Sequence, residues 1–229
     1  NTCYLARCLC IMLRMADDLH LDAADLSTLL DRVQSSIRQE WWDGAHYAGG
    51  IQGADALALE AGLGDASLAD TLAAHYREQP WFDTGFLATG SVIRMLCAYG
   101  HVDTALALLL SDEPDHSFGW QRQQGADTLW ERWNGTESRD HPMFGGVLSA
   151  LFEGMMGISL TDPLTLTPVF PNVLTHASCT VQTRCGTVRL AWERVPEGIR
   201  ICADLPAAGQ LLAGGQDHSL SSGRTTLLL

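Results

Sequence analysis

The sequence predicts a mainly α-helical domain, a toroid of helical hairpins, followed by a small antiparallel β-sandwich. Three observations predict it. Apolar residues recur every three to four positions through most of residues 1–157. These helical segments are alike in length, joined by short loops, and too numerous for a four-helix bundle. From Ile158 onward the pattern changes to short alternating runs broken by Gly and Pro. The expected domains are therefore 1–157 and 158–229.

Between Cys3 and Leu19, the residues Leu5, Leu9, Met12, Leu13 and Ala16 form one helical stripe. Asp22 can cap the second helix, whose apolar line Leu26, Leu29, Leu30, Val33 and Ile37 leads to Trp41-Trp42, read as its packing end. A third helix runs from Gln52 to Ala61 and stops at Gly62. Asp65 caps a fourth that ends near Tyr76. A fifth spans Gly85 to Tyr99, with Asp83 read as its cap in preference to a sugar contact and Gly100 placed to end it. A sixth covers Val102 to Leu110, and a seventh Phe144 to Met156. Pro163, Pro168 and Pro171 mark a linker. The alternating runs Ala177-Cys179-Val181, Val188-Leu190-Trp192 and Ile199-Ile201-Ala203 then read as strands. Turns are expected at Cys185-Gly186, Pro196-Glu197-Gly198, Gly214-Gly215 and Ser222-Gly223.

The bulk composition excludes several functions. Net charge is −13, and every one of the 14 Lys+Arg residues is arginine. No basic cluster could neutralise a run of phosphates, so neither nucleic acid nor an anionic membrane is expected as a partner. No apolar run is long enough to span a bilayer. The seven cysteines are irregularly spaced, with no Cys-x-x-Cys, and read as buried free thiols of a reducing, cytoplasmic compartment. His46, His101, His116 and His176 have no ligand spacing, so no metal and no cofactor is expected. Asn1-Thr2-Cys3-Tyr4 already reads as the body of a helix, so the chain is expected to begin in mid-protein.

The chemistry concentrates in the irregular stretch from Ser111 to Met143. Gly125-Ala126-Asp127-Thr128-Leu129-Trp130-Glu131-Arg132-Trp133-Asn134-Gly135 sets one carboxylate between two tryptophans and bounds it with glycines. His141-Pro142 follows. Indole faces match the C–H face of a sugar ring, and a carboxylate beside them can take a proton from water. Glu131 is thus the candidate catalytic residue. Trp130, Trp133, His141 and Asp127 are the candidate substrate-binding residues. The plain readings are an ion pair of Glu131 with Arg132, core packing for one tryptophan, and a satisfied core histidine.

Four motifs occur in order: Gln52 with Ala56-Leu57-Ala58-Leu59 and Gly62-Leu63, Asp83 to Thr89, Gly125 to Trp133, and Asp140 to Gly145. Together they resemble the C-terminal half of the α-L-rhamnosidases of glycoside hydrolase family 78. The β segment with Pro168 and Trp192 resembles the sandwich that follows the barrel there. The resemblance implies part of an (α/α)6 barrel, an inverting mechanism and terminal α-L-rhamnose as substrate. It carries the general base over to Glu131 and a sugar-hydroxyl contact to His141. The residue before His141 is Asp140, where the family more often has Asn.

The resemblance also implies that the general acid lies in a missing N-terminal half, which would be the partner of this chain. Inverting hydrolysis needs two carboxyl groups flanking the bond, and only Glu131 is recognised here. The chain alone is then expected to be inactive. One alternative keeps the toroid but changes the chemistry, to an unsaturated-uronyl hydrolase, a lyase or a phosphorylase, with Arg122, Arg132 and Arg139 facing a uronate. Another is a truncated, non-catalytic sugar-binding paralogue.

Overall fold

The computed structural model describes residues 1–159 and 164–229. Pro163, expected in the linker, lies outside the described residues. Two compact units emerge, Asn1–Val147 and Leu148–Leu229.

The first unit contains α1 (Thr2–Asp18), α2 (Ala24–Trp41), α3 (Ala54–Glu60), α4 (Ala66–Glu78), α5 (Phe86–Ala98), α6 (Val102–Leu110) and α7 (Phe118–Gln123), and reaches into α8 (Val147–Ala150). Consecutive helices pack as hairpins, α1 on α2, α3 on α4 and α5 on α6. Asp65 is the N-cap of α4, its Oδ1 accepting from the Ser67 amide at 2.9 Å, whereas the N-cap of α2 is Ala23 and Asp22, one residue earlier, accepts from the Ala24 amide at 3.1 Å. Each satisfies one of the orphan donors that a helix start leaves.

Helix α5 is the centre of this unit. It buries Ala88, Thr89, Ser91, Val92, Ile93, Met95, Leu96 and Cys97, so almost its whole circumference is covered. It packs on α3, α4 and α6. Its small residues explain the close approach. Gly90 lies against the backbone of Gly146, where an added Cβ would sit 3.4 Å from the carbonyl carbon. Glu60, at the end of α3, ties the helices together. It accepts from Arg94 Nε at 2.6 Å and Ser91 Oγ at 2.7 Å, and its Oε1 lies 3.5 Å from Arg7 of α1.

Several expectations are corrected. Helix α1 buries Ala6, Leu9 and Ala16, whereas Leu5 and Met12 remain exposed. The covered face is narrower than the apolar stripe. Trp41 and Trp42 are exposed rather than packed, with Trp42 tilted against Tyr47 at 4.9 Å. Asp83 does not cap α5; Gly85 occupies that position. The single helix expected over 144–156 is a 3₁₀ segment at Pro142–Gly146, one α turn (α8) and a π turn at Leu151–Met155. Proline opens the segment, and Gly145-Gly146 weaken helix propagation. All seven cysteines are free, but only Cys97 is fully buried; Cys8 and Cys185 are exposed.

Among the described residues, the second unit holds eight strands: β1 (Ile158–Ser159), β2 (Leu164–Leu166), β3 (His176–Thr183), β4 (Gly186–Val195), β5 (Gly198–Leu205), β6 (Gly209–Ala213), β7 (Gln216–Leu220) and β8 (Gly223–Leu228). They form two four-stranded sheets, ordered β1-β2-β6-β7 and β3-β4-β5-β8. The four expected turns fall between β3 and β4, β4 and β5, β6 and β7, and β7 and β8. One pair departs from the antiparallel expectation: β2 runs parallel to β6, with Leu164 opposite Gly209. Three whole strands separate the two in sequence, enough chain for the crossover that a parallel pair needs.

Alternation dictates what is inside. Val188, Leu190 and Trp192 of β4, Ile201, Ala203 and Leu205 of β5, and Leu166, Leu211 and Leu220 fill the core of this unit. Arg194 holds the connector ahead of β3, donating from Nη2 to the carbonyls of Phe170 (2.8 Å) and Pro171 (3.1 Å) and from Nε to that of Leu174 (3.1 Å).

Candidate active site

The candidate site is built on three loops that precede or follow buried helices of the first unit. The loop carrying Glu131 is a hairpin. The Glu131 amide donates to Ser138 O at 2.8 Å, the His141 amide donates to Leu129 O at 2.8 Å, and Thr128 Oγ1 bonds Arg139 O. Residues 128–131 and 138–141 therefore run side by side. Asn134 closes the tip, its Oδ1 accepting from the Thr136 amide at 3.1 Å and hydroxyl at 2.7 Å. Gly135 takes φ +73°, and a Cβ there would lie 2.6 Å from Trp130 Cζ3. Only glycine lets the indole of Trp130 fold down on this turn. Arg139 lies over the same ring, 4.7 Å from its centroid.

The two tryptophans divide their tasks. Trp130 is 4% exposed and packs within its own hairpin. Trp133 is 7% exposed but borders a cleft of about 480 Å³. It stacks on Phe82, with centroids 5.2 Å apart and planes within 6°, and meets Phe118 and Phe144 at 4.9 and 4.1 Å. Its Nε1 donates to Thr84 O at 2.6 Å. Both indoles are buried, and Trp133 also borders the cleft.

Glu131 borders the same cleft and is partly exposed. Its Oε2 accepts from the Ser138 amide at 3.3 Å. Arg132 does not pair with it; its Nη2 lies 4.0 Å from Glu137. Asp83 and Asp115 also border the cleft, so three carboxylates gather where the sequence pointed to one. Asp83 Oδ1 accepts from the Tyr76 hydroxyl at 2.6 Å and Oδ2 from the Gln52 amide at 3.2 Å, with His75 Nε2 at 3.7 Å. Burial, and then the Asp83 charge, push the Tyr76 phenol far above its ordinary range, so it stays a proton donor. Asp115, at φ +60°, accepts from Trp120 Nε1 at 3.1 Å.

Gln52 belongs to a strained segment. Ala48, Gly49, Gly50, Gln52 and Gly53 all have positive φ. The buried Asp55 holds its start, accepting from the Tyr47 amide at 2.7 Å and lying 2.8 Å from His46 Nδ1. Strain of this kind persists only where surrounding contacts over-determine the backbone.

His141 packs its ring 4.7 Å from Phe86, which borders the cleft, and its buried Nδ1 has no hydrogen-bond partner. Asp127 is exposed on the loop, and it does not border the cleft. The Asp140 amide donates to Ser138 Oγ at 3.2 Å. Arg122 lies on the exposed surface of α7. Sequence reasoning preferred a helix cap to a sugar contact for Asp83, did not find Asp115 as a member of the site, and missed α7, which Ser117 caps by accepting from the Trp120 amide at 3.0 Å. For Asp83, its place directly before Thr84-Gly85 was the available signal; Asp115 offered none. Among the described residues, no group of three or more His, Cys, Asp or Glu side chains is placed to hold a metal ion.

The family of the bacterial alpha-L-rhamnosidase six-hairpin glycosidase domain matches residues 1–155. The chain is 27% identical over 227 residues to an alpha-L-rhamnosidase of Streptomyces avermitilis, covering 90% of this chain and 22% of that protein. It is 30% identical over 125 residues to an alpha-L-rhamnosidase of Formosa agariphila, 48% of this chain and 13% of the relative. The crystal structure of the S. avermitilis alpha-L-rhamnosidase complexed with L-rhamnose matches with a TM-score of 0.85 at 22% identity, over 99% of this chain and 26% of that one. The alpha-L-rhamnosidase of Aspergillus terreus gives 0.86 at 19% identity, over 98% of this chain and 29% of that one. The structural likenesses show a shared fold. The chain spans about a fifth of the length of the Streptomyces relative.

Proposed function

The chain belongs to the bacterial alpha-L-rhamnosidase six-hairpin glycosidase family, and on that premise we propose that the protein carrying it hydrolyses terminal α-L-rhamnosides with inversion at the anomeric carbon. The observation that carries this reading is the Glu131 carboxylate at the border of the cleft that Trp133 lines. Glu131 is the general base. It takes a proton from water as that water attacks the anomeric carbon through an oxocarbenium-like state. Trp133 supplies apolar aromatic surface at the border of the cleft for the apolar side of the sugar. Trp130 holds the hairpin that aims Glu131. His141 joins the substrate-binding set, its unpartnered Nδ1 supporting a role for the ring in meeting a sugar hydroxyl, whereas Asp127, exposed and away from the cleft, is left out of it.

The general acid is assigned to a segment outside these 229 residues. Asp83 and Asp115 border the cleft, but each already accepts internal hydrogen bonds, from Tyr76 and Gln52 and from Trp120. A general acid must instead present a protonated oxygen to the leaving group. The seven free thiols support a reducing, cytoplasmic setting.

Glu131→Gln in the protein with its complete barrel tests the assignment. Turnover of an aryl α-L-rhamnoside should fall by on the order of 10²–10⁴-fold while the fold and rhamnose binding persist. Near wild-type turnover refutes it. The first-formed product should be β-L-rhamnose by NMR. Residues 1–229 alone should be inactive until a separately supplied N-terminal half is added.

A further inference from the structure

We propose that Asp83 is a substrate-binding carboxylate that accepts a hydrogen bond from a ring hydroxyl of the terminal sugar, with Tyr76 and Gln52 as its positioning residues. The proposal rests on the reading of the cleft as a rhamnoside-hydrolysing site.

Asp83 stands at the border of the same cleft as Glu131, with a side chain 23% exposed. It does not perform the local task its sequence position suggests, since Gly85 starts α5 without a side-chain cap. Its two oxygens are instead held from different elements, Oδ1 by the Tyr76 hydroxyl of α4 and Oδ2 by the amide of Gln52. A carboxylate has about four lone-pair positions, so capacity remains on the side facing the cleft. The hold on Oδ2 comes from a non-glycine residue at φ +48°. Such a backbone costs of order 1–3 kcal/mol and tends to cluster at ligand sites. The phenol of Tyr76, kept protonated by burial and by Asp83, always donates. Asp83 is therefore fixed in orientation before any sugar arrives, which lowers the ordering cost of binding.

Hydrogen bonds from a hydroxyl to a charged acceptor discriminate more strongly than neutral ones. The test uses an aryl α-L-rhamnoside and its 2-, 3- and 4-deoxy counterparts, assayed with the protein carrying its complete barrel. Wild type should lose about 10- to 100-fold in kcat/KM on one of the three deoxy substrates through the missing bond to Asp83. Asp83→Asn and Tyr76→Phe should each bring that penalty toward unity and raise KM for the intact substrate more than they lower kcat. Circular dichroism checks their fold, and Tyr76→Phe, which keeps the carboxylate, carries the same ratio test if Asp83→Asn fails to fold. A uniform loss across all four substrates, or unchanged deoxy penalties, overturns the proposal and leaves the site reading intact. A wild-type enzyme that cleaves no rhamnoside refutes the site reading itself.

Discussion

The indole Nε1 of Trp133 donates a 2.6 Å hydrogen bond to the backbone carbonyl of Thr84, 49 residues earlier in the chain. Thr84 follows Asp83, and Trp133 lies two residues after Glu131. One buried bond thus joins the loop of the proposed base to the loop of the second carboxylate.

Trp133→Phe keeps an aromatic ring against Phe82 but strands the Thr84 carbonyl. Leaving a buried acceptor unpaired costs about 1–3 kcal/mol. Trp133→Ala also removes the stack and should cost about 3–5 kcal/mol. Urea unfolding followed by fluorescence would check both values; a Phe variant as stable as wild type would mean that the bond contributes nothing.

Gly135→Ala should impair the hairpin more than the domain. Its φ of +73° and the 2.6 Å approach to Trp130 Cζ3 force either the turn or the indole to move. Displacing Glu131 by about 1 Å can cost up to about 10²-fold in rate. Steady-state kinetics should show a fall in kcat, with little change in the melting temperature of the whole domain.

Alkaline destabilisation should be traceable to Cys97. Burial raises its thiol from 9.0 to about 11 in the folded state. A raised folded-state value means that the stabilising contribution is complete below pH 9 and lost as pH climbs to about 11. The slope is about 1.4 kcal/mol per pH unit, or roughly 2–3 kcal/mol across that window. Urea titrations from pH 8 to pH 10 under reducing conditions should show the first part of this slope in wild type and less of it in Cys97→Ala; above pH 10 the buried Tyr76 phenol, also raised, adds a slope that the variant keeps.

In the second unit, Trp192 is 2% exposed, and its Nε1 is buried with no hydrogen-bond partner. Trp192→Phe removes that unmet donor along with some packing, and the two changes oppose each other. It should cost under about 1.5 kcal/mol, whereas Trp192→Ala opens a cavity worth about 3–5 kcal/mol. Equal thermal shifts for the two variants would contradict this.

Local chemistry was legible in the sequence and distant chemistry was not. Asp65 caps α4, and the Gly- and Pro-marked turns of the sandwich fall between strands, because each depends on neighbours a few residues away. The irregular form of 142–155 was hidden because its apolar spacing is helical while its proline and paired glycines are not. The parallel pairing of β2 with β6 joins residues more than forty apart. Glu131 stood out by its two tryptophans. The place of Asp83 could not, since the groups that hold it, Tyr76 and Gln52, lie 7 and 31 residues away on other elements. The exposed apolar residues of α1 follow from a stripe wider than the surface that covers it.

The strained segment from Ala48 to Gly53 has a consequence for the order of folding. Its anchors are not its own: Gln52 is held by Asp83, and Gly53 fits against Thr84, Ala88 and Val92, where a Cβ would come within 2.9 to 3.2 Å. The unusual backbone cannot be repaid until α5 has docked, because loop closure precedes the contacts that reward it. This segment should therefore set after the folding barrier is crossed, with φ-values near zero. Gly53→Ala would then accelerate the unfolding limb of a chevron and leave the refolding limb unchanged. The cleft would be the last part of the domain to become native and the first to be lost.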